Sequence, residues 1–375
     1  MFIPVENPIF ARNSTQIMAR FHTLQVKDIQ RETADCVSIA MDIPTTLASE
    51  FQYKQGQYLT FKVKVNGEEL RRSYSLCSSP LTDNELRVAV KKVAGGRVST
   101  WMNDVLKKGD ALEVMTPMGN FYSDMNAANA KHYQLFAGGS GITPMFSIIK
   151  TVLKSEPNSR ITLYYANRDE ASTIFKSQLD ALQSNNSTRL SIHYIYDNAP
   201  AGHAALYCGM MDVSKVTALI ENHGDLTGNC EYFICGPGPM MENVKNVLSQ
   251  LKIDSKKVHI EYFTAVEEAV KKAEAASSGG KVISKVTIIM DGQELNIELS
   301  SDGPTILDVA IENDLDAPFA CKGAVCCTCR AKVLEGQMSM DANYALSEEE
   351  IEQGYVLTCQ AHPATERVVV SYDEP

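Results

Sequence analysis

The residues best suited to chemistry are four cysteines that fall within ten residues, in the segment ACKGAVCCTC at positions 320–329 of this 375-residue chain. Three of them, Cys321, Cys326 and Cys329, have the spacing C-x4-C-x2-C, and Cys359 follows after 29 further residues. The start of the chain lacks the basic residues and continuous apolar block of a secretory signal, so we expect a cytoplasmic location and a reducing compartment. There, clustered cysteines indicate metal binding or redox chemistry more than disulfides.

The spacing of Cys321, Cys326, Cys329 and Cys359 is that of plant-type [2Fe-2S] ligands. Two sulfide-bridged irons need four thiolates, and one loop of small residues can wrap around them while the fourth ligand comes from a separate element. A structural zinc site typically shows two C-x2-C pairs, whereas this chain has one, so zinc or a reactive thiol pair is the alternative. We expect Cys327, between two of these ligands, to point elsewhere and not to bind iron.

The sequence around these cysteines closely resembles plant-type ferredoxin domains in the segments APFACKGAVCCTCRAKVLEG and LSEEEIEQGYVLTCQAHP. That resemblance implies an α+β, β-grasp-like fold. The local pattern agrees, because Asp291-Gly292 between two strand-like runs signals a hairpin and TILDVAIEND has apolar residues at helical spacing. The family often has Gly at the position of Ala324, and Gly or Ala at the position of Cys327.

A flavin-binding pattern precedes the cysteines by about 250 residues. The run Arg72-Ser73-Tyr74-Ser75 matches the R-x-Y-S signature of the ferredoxin reductase family. The resemblance implies that the Tyr74 ring packs beside the isoalloxazine of FAD, that Ser75 bonds near its reactive edge and that Arg72 pairs with the pyrophosphate. The segment GGRVSTW resembles the second phosphate element of that family, which assigns FAD binding to Gly95, Gly96, Val98 and Ser99 or Thr100. Alone, R-x-Y-S would favour a strand that carries an exposed basic residue, but its order and spacing relative to the other elements favour the flavin site.

Two further loops predict a pyridine nucleotide site. The run GGSGITP follows a predicted strand and opens a predicted helix, whose N-terminus favours a pyrophosphate. It fails as a Rossmann fingerprint because Pro144 replaces the third glycine, but it matches the G-G-x-G-I-T-P of the reductase family. The run CGPGPMM resembles the second nucleotide loop of that family, with a small buried thiol as the alternative interpretation of its cysteine. The candidate residues are Gly138, Gly139, Ser140, Gly141, Thr143, Pro144, Cys235, Gly236 and Pro237.

The nucleotide and the flavin each have one more candidate contact. Arg168 follows the second strand of the nucleotide region, where a guanidinium suits an adenosine 2′-phosphate, so we expect NADPH. Asp169 and Glu170 lie beside it and offer the alternative of holding a ribose diol, as in NADH binding. The segment HIEYF resembles the closing strand of the reductase family and predicts that Phe263 lies near the flavin, with core packing as the alternative.

These motifs divide the chain into domains. Alternating runs before residue 130 predict an antiparallel β-barrel or sandwich, and the strand–turn–helix rhythm after it predicts an α/β domain with parallel strands. The Ala/Glu/Lys-rich segment that ends in SSGG predicts a partly helical, partly flexible linker between domains. We therefore expect a multidomain protein with an N-terminal extension at 1–17, an FAD-binding antiparallel β-barrel at 18–129, an NAD(P)-binding α/β domain with a parallel sheet at 130–264, a linker at 265–283 and a [2Fe-2S] ferredoxin domain at 284–375.

The negative charge lies in the last of these regions. Residues 284–375 contain 17 Asp or Glu and 5 Lys or Arg, a net of −12, which leaves +1 of the total of −11 for residues 1–283. Such a module attracts basic protein surfaces and repels nucleic acid and anionic lipid, with a merely solubilising surface as the alternative. No apolar run reaches the roughly 18 residues of a membrane span. We expect no nucleic-acid or membrane partner.

From about Met18 onward the chain resembles the family of reductase subunits of ring 1,2-epoxidase (phenylacetyl-CoA epoxidase) complexes, in GEELRRSYS, EGQMSMDANYALSEEEIEQGYVLTCQA and RVVVSYD. The resemblance implies that NADPH gives a hydride to FAD, that single electrons leave through the [2Fe-2S] cluster, and that the acceptor is a di-iron oxygenase subunit. Two alternatives stay open. One is a reductase for another mono- or dioxygenase, and the other is a non-catalytic electron-carrier or redox-sensing module.

Overall fold

The computed structural model describes residues 20–226, 228–263 and 282–374. The predicted N-terminal extension at 1–17, the alternative start at Met18 and all but the last two residues of the predicted linker at 265–283 lie outside these ranges. Within the described residues no helix is both long enough and apolar enough to cross a membrane.

The first domain is a six-stranded antiparallel sheet. Its edge strands meet at a bridge between Leu76 and Val88, which closes the sheet into the predicted barrel. The predicted turn at Asn66 and Gly67 is a tight hairpin, in which both residues have positive φ, 52° and 84°. The strands are β1 (Phe21–Thr33), β2 (Cys36–Asp42), β3 (Tyr58–Val65), β4 (Glu68–Ser75), β5 (Leu86–Lys91) and β6 (Ala111–Met115), in the order β4-β3-β6-β1-β2-β5, with helix α1 at Arg97–Asp104.

The second domain has the predicted parallel sheet with helices. Its strands are β7 (His132–Gly138), β8 (Arg160–Asn167), β9 (Leu190–Tyr196), β10 (Cys230–Cys235) and β11 (Val258–Glu261), in the order β11-β10-β7-β8-β9. Its helices are α2 (Ile142–Ser155), α3 (Lys176–Asn185), α4 (Val213–His223) and α5 (Gly238–Gln250). Every residue of β7 is buried, as expected for a central strand of a sheet with helices on both faces. The loops after β7, β8 and β10 therefore lie at one edge of the sheet.

The third domain contains a mixed five-stranded sheet, with the predicted hairpin at Asp291 and Gly292, and a separate two-stranded sheet. Its strands are β12 (Ile283–Met290), β13 (Gln293–Ser300), β14 (Arg330–Glu335), β15 (Met338–Met340), β16 (Tyr355–Leu357), β17 (Ala361–Pro363) and β18 (Arg367–Ser371), and its helices are α6 (Ile306–Glu312) and α7 (Glu348–Glu352). The order of the five-stranded sheet is β13-β12-β18-β14-β16, in which β12 and β18 are parallel, and β15 and β17 form the two-stranded sheet. The long loop between α6 and β14 carries the four clustered cysteines.

The three domains pack against one another. Phe121 of the first contacts Phe233 of the second, with ring centroids 5.2 Å apart. Val325 and Tyr344 of the third domain pack against the buried cluster beneath α4 and α5 of the second. The cysteine loop consequently lies where all three domains meet.

Candidate functional site

A cavity of about 600 Å³ lies between the first two domains and contains most of the predicted flavin and nucleotide residues. The end of β4, the start of α1 and the loops after β7 and β10 form its walls. The predicted residues that line it are Arg72, Ser73, Tyr74, Ser75, Gly95, Gly96, Val98, Ser99, Gly138, Gly139, Ser140, Thr143, Gly236, Pro237 and Phe263. Phe263 is 41% exposed and faces this cavity, so it is not a core residue.

The wall formed by β4 is held by specific contacts. The hydroxyl of Ser73 lies 3.0 Å from that of Thr60 on β3, and Arg72 donates to the carbonyl of Arg71 at 2.7 Å. The Tyr74 ring is partly buried, and burial raises the pKa of its hydroxyl. It therefore presents an apolar ring and a neutral phenol to the cavity, which suits a flat aromatic ligand.

The phosphate element before α1 depends on a glycine. A Cβ on Gly96 would lie 2.6 Å from the hydroxyl of Ser99, so only glycine allows the backbone this close. The Ser99 hydroxyl accepts the backbone N–H of Val93 at 3.1 Å and so holds the loop itself. Thr100 is exposed and is not among the residues that line the cavity. Of the two hydroxyls offered by the sequence, the structure brings only Ser99 to this wall.

The two nucleotide loops touch each other through glycines. A Cβ on Gly141 would lie 2.0 Å from the carbonyl oxygen of Cys235, and one on Gly138 would lie 2.5 Å from the ring of Pro237. These glycines therefore allow two backbones to pack, in addition to any role in admitting a ligand. Gly141, Pro144 and Cys235 are buried and do not line the cavity. Burial raises the pKa of the Cys235 thiol well above its ordinary value, so the thiol is neutral and unreactive.

Arg168 lies just beyond the end of β8, outside the residues that line the cavity. Its side chain is 63% exposed, and its Nε donates to Asp169 at 3.2 Å. Asp169 caps the following short 3-10 turn by accepting the backbone N–H of Ser172 at 2.9 Å. Asp169 is thus hydrogen-bonded to the backbone of its own turn, whereas the Arg168 side chain is exposed to solvent. Arg168 lies at the edge of the sheet formed by the carboxyl ends of the strands, where ligands bind in folds of this kind.

One site residue, Glu261, was missed at the sequence level. It ends β11, lines the cavity that reaches the cysteine loop and accepts a hydrogen bond from the Ser75 hydroxyl at 3.0 Å. Burial raises its pKa to about 8 against the opposing effect of that hydrogen bond. The carboxyl is therefore protonated at neutral pH. The signal available in the sequence was the lone carboxylate between apolar residues in HIEYF, beside the residue already assigned to the flavin.

The four predicted metal ligands lie as two pairs. The sulfurs of Cys321 and Cys326 are 3.2 Å apart, and the neighbouring Cys359 thiol is the main cause of the raised pKa of the Cys329 thiol. The Cys326 thiol and the backbone N–H groups of the loop lower the pKa of Cys321 to about 6. Each iron of a binuclear cluster takes two thiolates and two bridging sulfides, so two thiol pairs, three thiols from the loop and one from Cys359 after β16, fit a [2Fe-2S] cluster.

The fifth cysteine of this region faces away from the two pairs. The Cys327 thiol donates to the carbonyl of Ala345 at 3.3 Å, and burial raises its pKa to about 12. The loop adopts positive φ at Lys322 and Ala324, 49° and 62°. The backbone conformation at Ala324 explains the frequent glycine there, since L-residues with a Cβ rarely adopt it.

The flavin wall and the cysteine loop share a second, smaller cavity of about 90 Å³. One side is formed by the end of β4, another by the end of β11 and the third by the cysteine loop. Its lining residues are Tyr58, Arg72, Ser73, Ser75, Glu261, Tyr262, Phe263, Ala320, Cys321, Val325 and Cys326. Residues assigned to the flavin and two assigned metal ligands therefore border one space, with no intervening domain.

Comparison with known families assigns each domain. The oxidoreductase FAD-binding domain family matches residues 23–122, the oxidoreductase NAD-binding domain family matches residues 135–246, and the 2Fe-2S iron-sulfur cluster binding domain family matches residues 288–364. The fold resembles that of phthalate dioxygenase reductase, with a TM-score of 0.56 and 24% identity over 94% of this chain and 98% of that one. An intact type IV self-sufficient cytochrome P450 monooxygenase gives a TM-score of 0.67 at 20% identity, over 99% of this chain and 43% of that one.

Two curated relatives match along almost their whole length. One subunit of the 1,2-phenylacetyl-CoA epoxidase of Escherichia coli K12 is 40% identical, over 95% of this chain and 99% of the relative. The ferredoxin reductase component of the 3-ketosteroid-9-alpha-monooxygenase of Mycobacterium tuberculosis H37Rv is 33% identical, over 94% and 96%. This chain therefore belongs to the family of oxygenase reductase components that join an FAD-binding, an NAD-binding and a C-terminal 2Fe-2S ferredoxin domain.

Proposed function

We propose that this chain takes a hydride from NADPH and delivers electrons singly to the oxygenase subunits of a multicomponent complex. The observation that carries the proposal is the small cavity bordered by both the flavin wall and Cys321 and Cys326. Electrons can pass from a flavin at that wall to a cluster in that loop without leaving the protein. The non-catalytic carrier is disfavoured because the chain matches FAD-binding, NAD-binding and 2Fe-2S domain families, and candidate flavin residues border one cavity with Cys321 and Cys326.

The cofactor-binding residues are part of this proposal. The walls formed by β4 and α1 would hold FAD, and the loops after β7 and β10, with Arg168 beyond them, would hold the nicotinamide nucleotide. The cluster is bound by Cys321, Cys326, Cys329 and Cys359. The domain limits of 18–129, 130–264 and 284–375 and a cytoplasmic location are further parts of the proposal.

The side chains of this protein act by position and charge. Bound FAD supplies the conversion between hydride transfer and single-electron transfer. Tyr74 and Phe263 border the cavity in which its ring would lie. The Ser75 hydroxyl donates to the Glu261 carboxyl at 3.0 Å, and the raised pKa of that carboxyl, about 8, holds a proton on the wall toward the cysteine loop.

We further propose that the acceptor is the di-iron oxygenase that epoxidises the ring of phenylacetyl-CoA. The support is the 40% identity, over almost all of both chains, to the Escherichia coli relative from the 1,2-phenylacetyl-CoA epoxidase. The second candidate is the oxygenase of a steroid pathway, because the reductase component of the 3-ketosteroid-9-alpha-monooxygenase is also similar over its full length. In either case the acidic third domain would favour a basic docking surface on the oxygenase.

The experiment is anaerobic reduction followed by partner exchange. Purified protein with bound iron and flavin is mixed with NADPH, and the visible absorbance of the cluster is followed. We expect the cluster to bleach, whereas the Cys329→Ser protein should retain ferricyanide reduction and lose cytochrome c reduction. A cluster that stays oxidised in flavin-loaded wild-type protein would refute the proposal. The partner is then identified by product formation. Product from phenylacetyl-CoA with the epoxidase oxygenase subunits, and none from a 3-ketosteroid with the steroid oxygenase, would identify the epoxidase as the partner. The reverse result would identify the second candidate.

A further inference from the structure

The side chain of Asn120 joins the first domain to the third. Asn120 lies between β6 and β7, and its Nδ2 donates to Oε2 of Glu350 at 2.8 Å and to Sγ of Cys327 at 3.8 Å. These contacts span 230 and 207 positions of the sequence. Asn120 is not among the residues assigned to the flavin, the nucleotide or the cluster, so none of those sites explains it.

The first domain fixes the backbone on both sides of Asn120. On one side, the carbonyl of Gly119 accepts the side-chain amide of Gln57 at 3.2 Å. On the other side, the buried ring of Phe121 packs against Phe233 with centroids 5.2 Å apart. The Asn120 side chain therefore extends toward the third domain from a backbone that its own neighbours hold.

The third domain fixes the groups that Asn120 meets. In the capping box of α7, Oε2 of Glu350 accepts the backbone N–H of Ser347 at 2.9 Å, while Oε1 accepts a hydrogen bond from Arg330. The Cys327 thiol donates its proton to a backbone carbonyl at 3.3 Å, which leaves its sulfur as an acceptor. A carboxylate only accepts hydrogen bonds, so the amide nitrogen of Asn120 must face it.

We propose that Asn120 is a positioning residue that holds the third domain where the cysteine loop borders the flavin wall. Each side of the contact is fixed by its own domain, so both hydrogen bonds form at one relative placement of the domains. In that placement Cys321 and Cys326 border the same small cavity as Ser75. Cys327, the cysteine that the cluster does not need, then serves docking and not iron binding. This inference rests on the proposed transfer from flavin to cluster.

The test is anaerobic stopped-flow reduction of the full-length holoprotein by NADPH, with flavin and cluster absorbance followed separately. Asn120→Ala removes the amide but leaves Glu350 with its partners in the third domain. Asn120 is exposed, so water competes for this hydrogen bond, and we expect flavin-to-cluster transfer to slow about fivefold. Asn120→Asp should slow it further, because two carboxylates would face each other. Cys327→Ala removes the weaker acceptor and should slow transfer by less than about twofold. Flavin reduction, FAD content and iron content should stay unchanged in all three variants.

Two more variants separate docking from a general loss of structure. Asn120→Asp/Glu350→Gln exchanges the amide and the carboxylate across the interface, and glutamine also suits the capping box. It should transfer electrons to the cluster faster than Asn120→Asp alone, because the two changes compensate each other. The matched control is Asn126→Asp, at an exposed asparagine whose side-chain oxygen accepts the backbone N–H of Ala128 at 2.9 Å. It adds the same charge away from the contact and should leave the rate unchanged.

Several results would overturn the inference. These are an unchanged flavin-to-cluster rate in Asn120→Ala, no recovery in the double variant, or an equal slowing in Asn126→Asp. Loss of FAD or slower flavin reduction in Asn120→Ala would do the same, because it would assign Asn120 to cofactor binding. Loss of iron in Cys327→Ala would assign that thiol to the cluster and overturn its part in docking. Failure of NADPH to reduce the wild-type cluster would instead refute the proposed function.

Discussion

Replacement of Arg168 by alanine should convert a preference for NADPH into near indifference between NADPH and NADH. The Arg168 guanidinium is bonded to Asp169 through Nε, and its two terminal nitrogens are the donors that we expect to bind the 2′-phosphate. A charge-assisted hydrogen bond to a phosphate contributes about 1.5–3 kcal/mol, and the 63% exposure of this side chain favours the lower limit. About 1.5 kcal/mol corresponds to a roughly tenfold rise in KM for NADPH. The KM for NADH, which lacks the 2′-phosphate, should change by less than about twofold.

Ferricyanide reduction measures this effect because it reports on hydride transfer without requiring the cluster. Arg160→Ala is the matched control, since Arg160 lies at the opposite end of β8, is 54% exposed and pairs with Asp225. It removes the same charge far from the loop edge and should leave both KM values unchanged. Equal losses with NADPH and NADH in Arg168→Ala would refute the assignment, as would a comparable NADPH effect in Arg160→Ala.

Two further changes test the site. The pKa of Glu261 is raised from 4.5 to about 8 in the folded protein, so between these pH values the folded state holds a proton that the unfolded chain has lost. The stabilisation that this proton provides is fully present below pH 4.5 and is lost as the pH rises through 8. Between pH 6 and pH 8 the free energy of unfolding should fall by about 2 kcal/mol through this group. Glu261→Gln should abolish that fall, as measured by urea titrations of the apoprotein. If the free energy of unfolding depended on pH equally in Glu261→Gln and wild type, the raised pKa would be contradicted. Gly141→Ala should force apart the two nucleotide loops, because its Cβ would lie 2.0 Å from the Cys235 carbonyl. We expect the free energy of unfolding to fall by about 2 kcal/mol or more and the KM for NADPH to rise. Gly238→Ala is the control, because open space surrounds Gly238, and it should change neither quantity. Equal effects of the two variants would refute the packing argument.

The parts of this protein that were predictable from its sequence are those set by local chemistry. The dipeptides Asn66-Gly67 and Asp291-Gly292 specify tight hairpins because both residues adopt positive φ, and both hairpins are present. The C-x4-C-x2-C spacing specifies one loop that brings its thiols together, and the structure contains two close thiol pairs. The strand–glycine–helix pattern after residue 130 similarly led to the parallel sheet.

The residues that were not predictable act between elements far apart in the chain. Glu261 meets Ser75 across 186 positions, and Tyr58 meets Cys327 across 269. The lone carboxylate in HIEYF was a local signal for Glu261, but its partner Ser75 was not predictable, since each contact depends on how whole domains pack. The glycine at 141 illustrates the same limit. Its motif predicted a loop that binds a ligand, but the atom that excludes a Cβ at this position is the backbone carbonyl oxygen of Cys235.

The pair Arg71-Arg72 shows how one sequence motif serves both the cofactor and the domain interface. Successive side chains of a strand point to opposite faces, and Arg72 lines the flavin cavity while Arg71 reaches Asp316 of the third domain at 2.9 Å. The Arg71 guanidinium also lies 4.2 Å from the centre of the Phe319 ring. Two variants should therefore separate the two roles.

Arg71→Ala should leave FAD content and ferricyanide reduction intact but slow cluster reduction. Asp316 is 74% exposed and regains water when its partner is lost, so the cost to docking is about 1–2 kcal/mol, or a roughly 5- to 30-fold smaller docked population. Arg72→Ala should show the opposite pattern, with loss of bound FAD and of all NADPH-dependent reduction. Stopped-flow absorbance at the flavin and cluster bands distinguishes the two. If Arg71→Ala lost FAD as readily as Arg72→Ala, the alternation of the strand would not separate cofactor binding from docking, and the interface would have to be assigned to other residues.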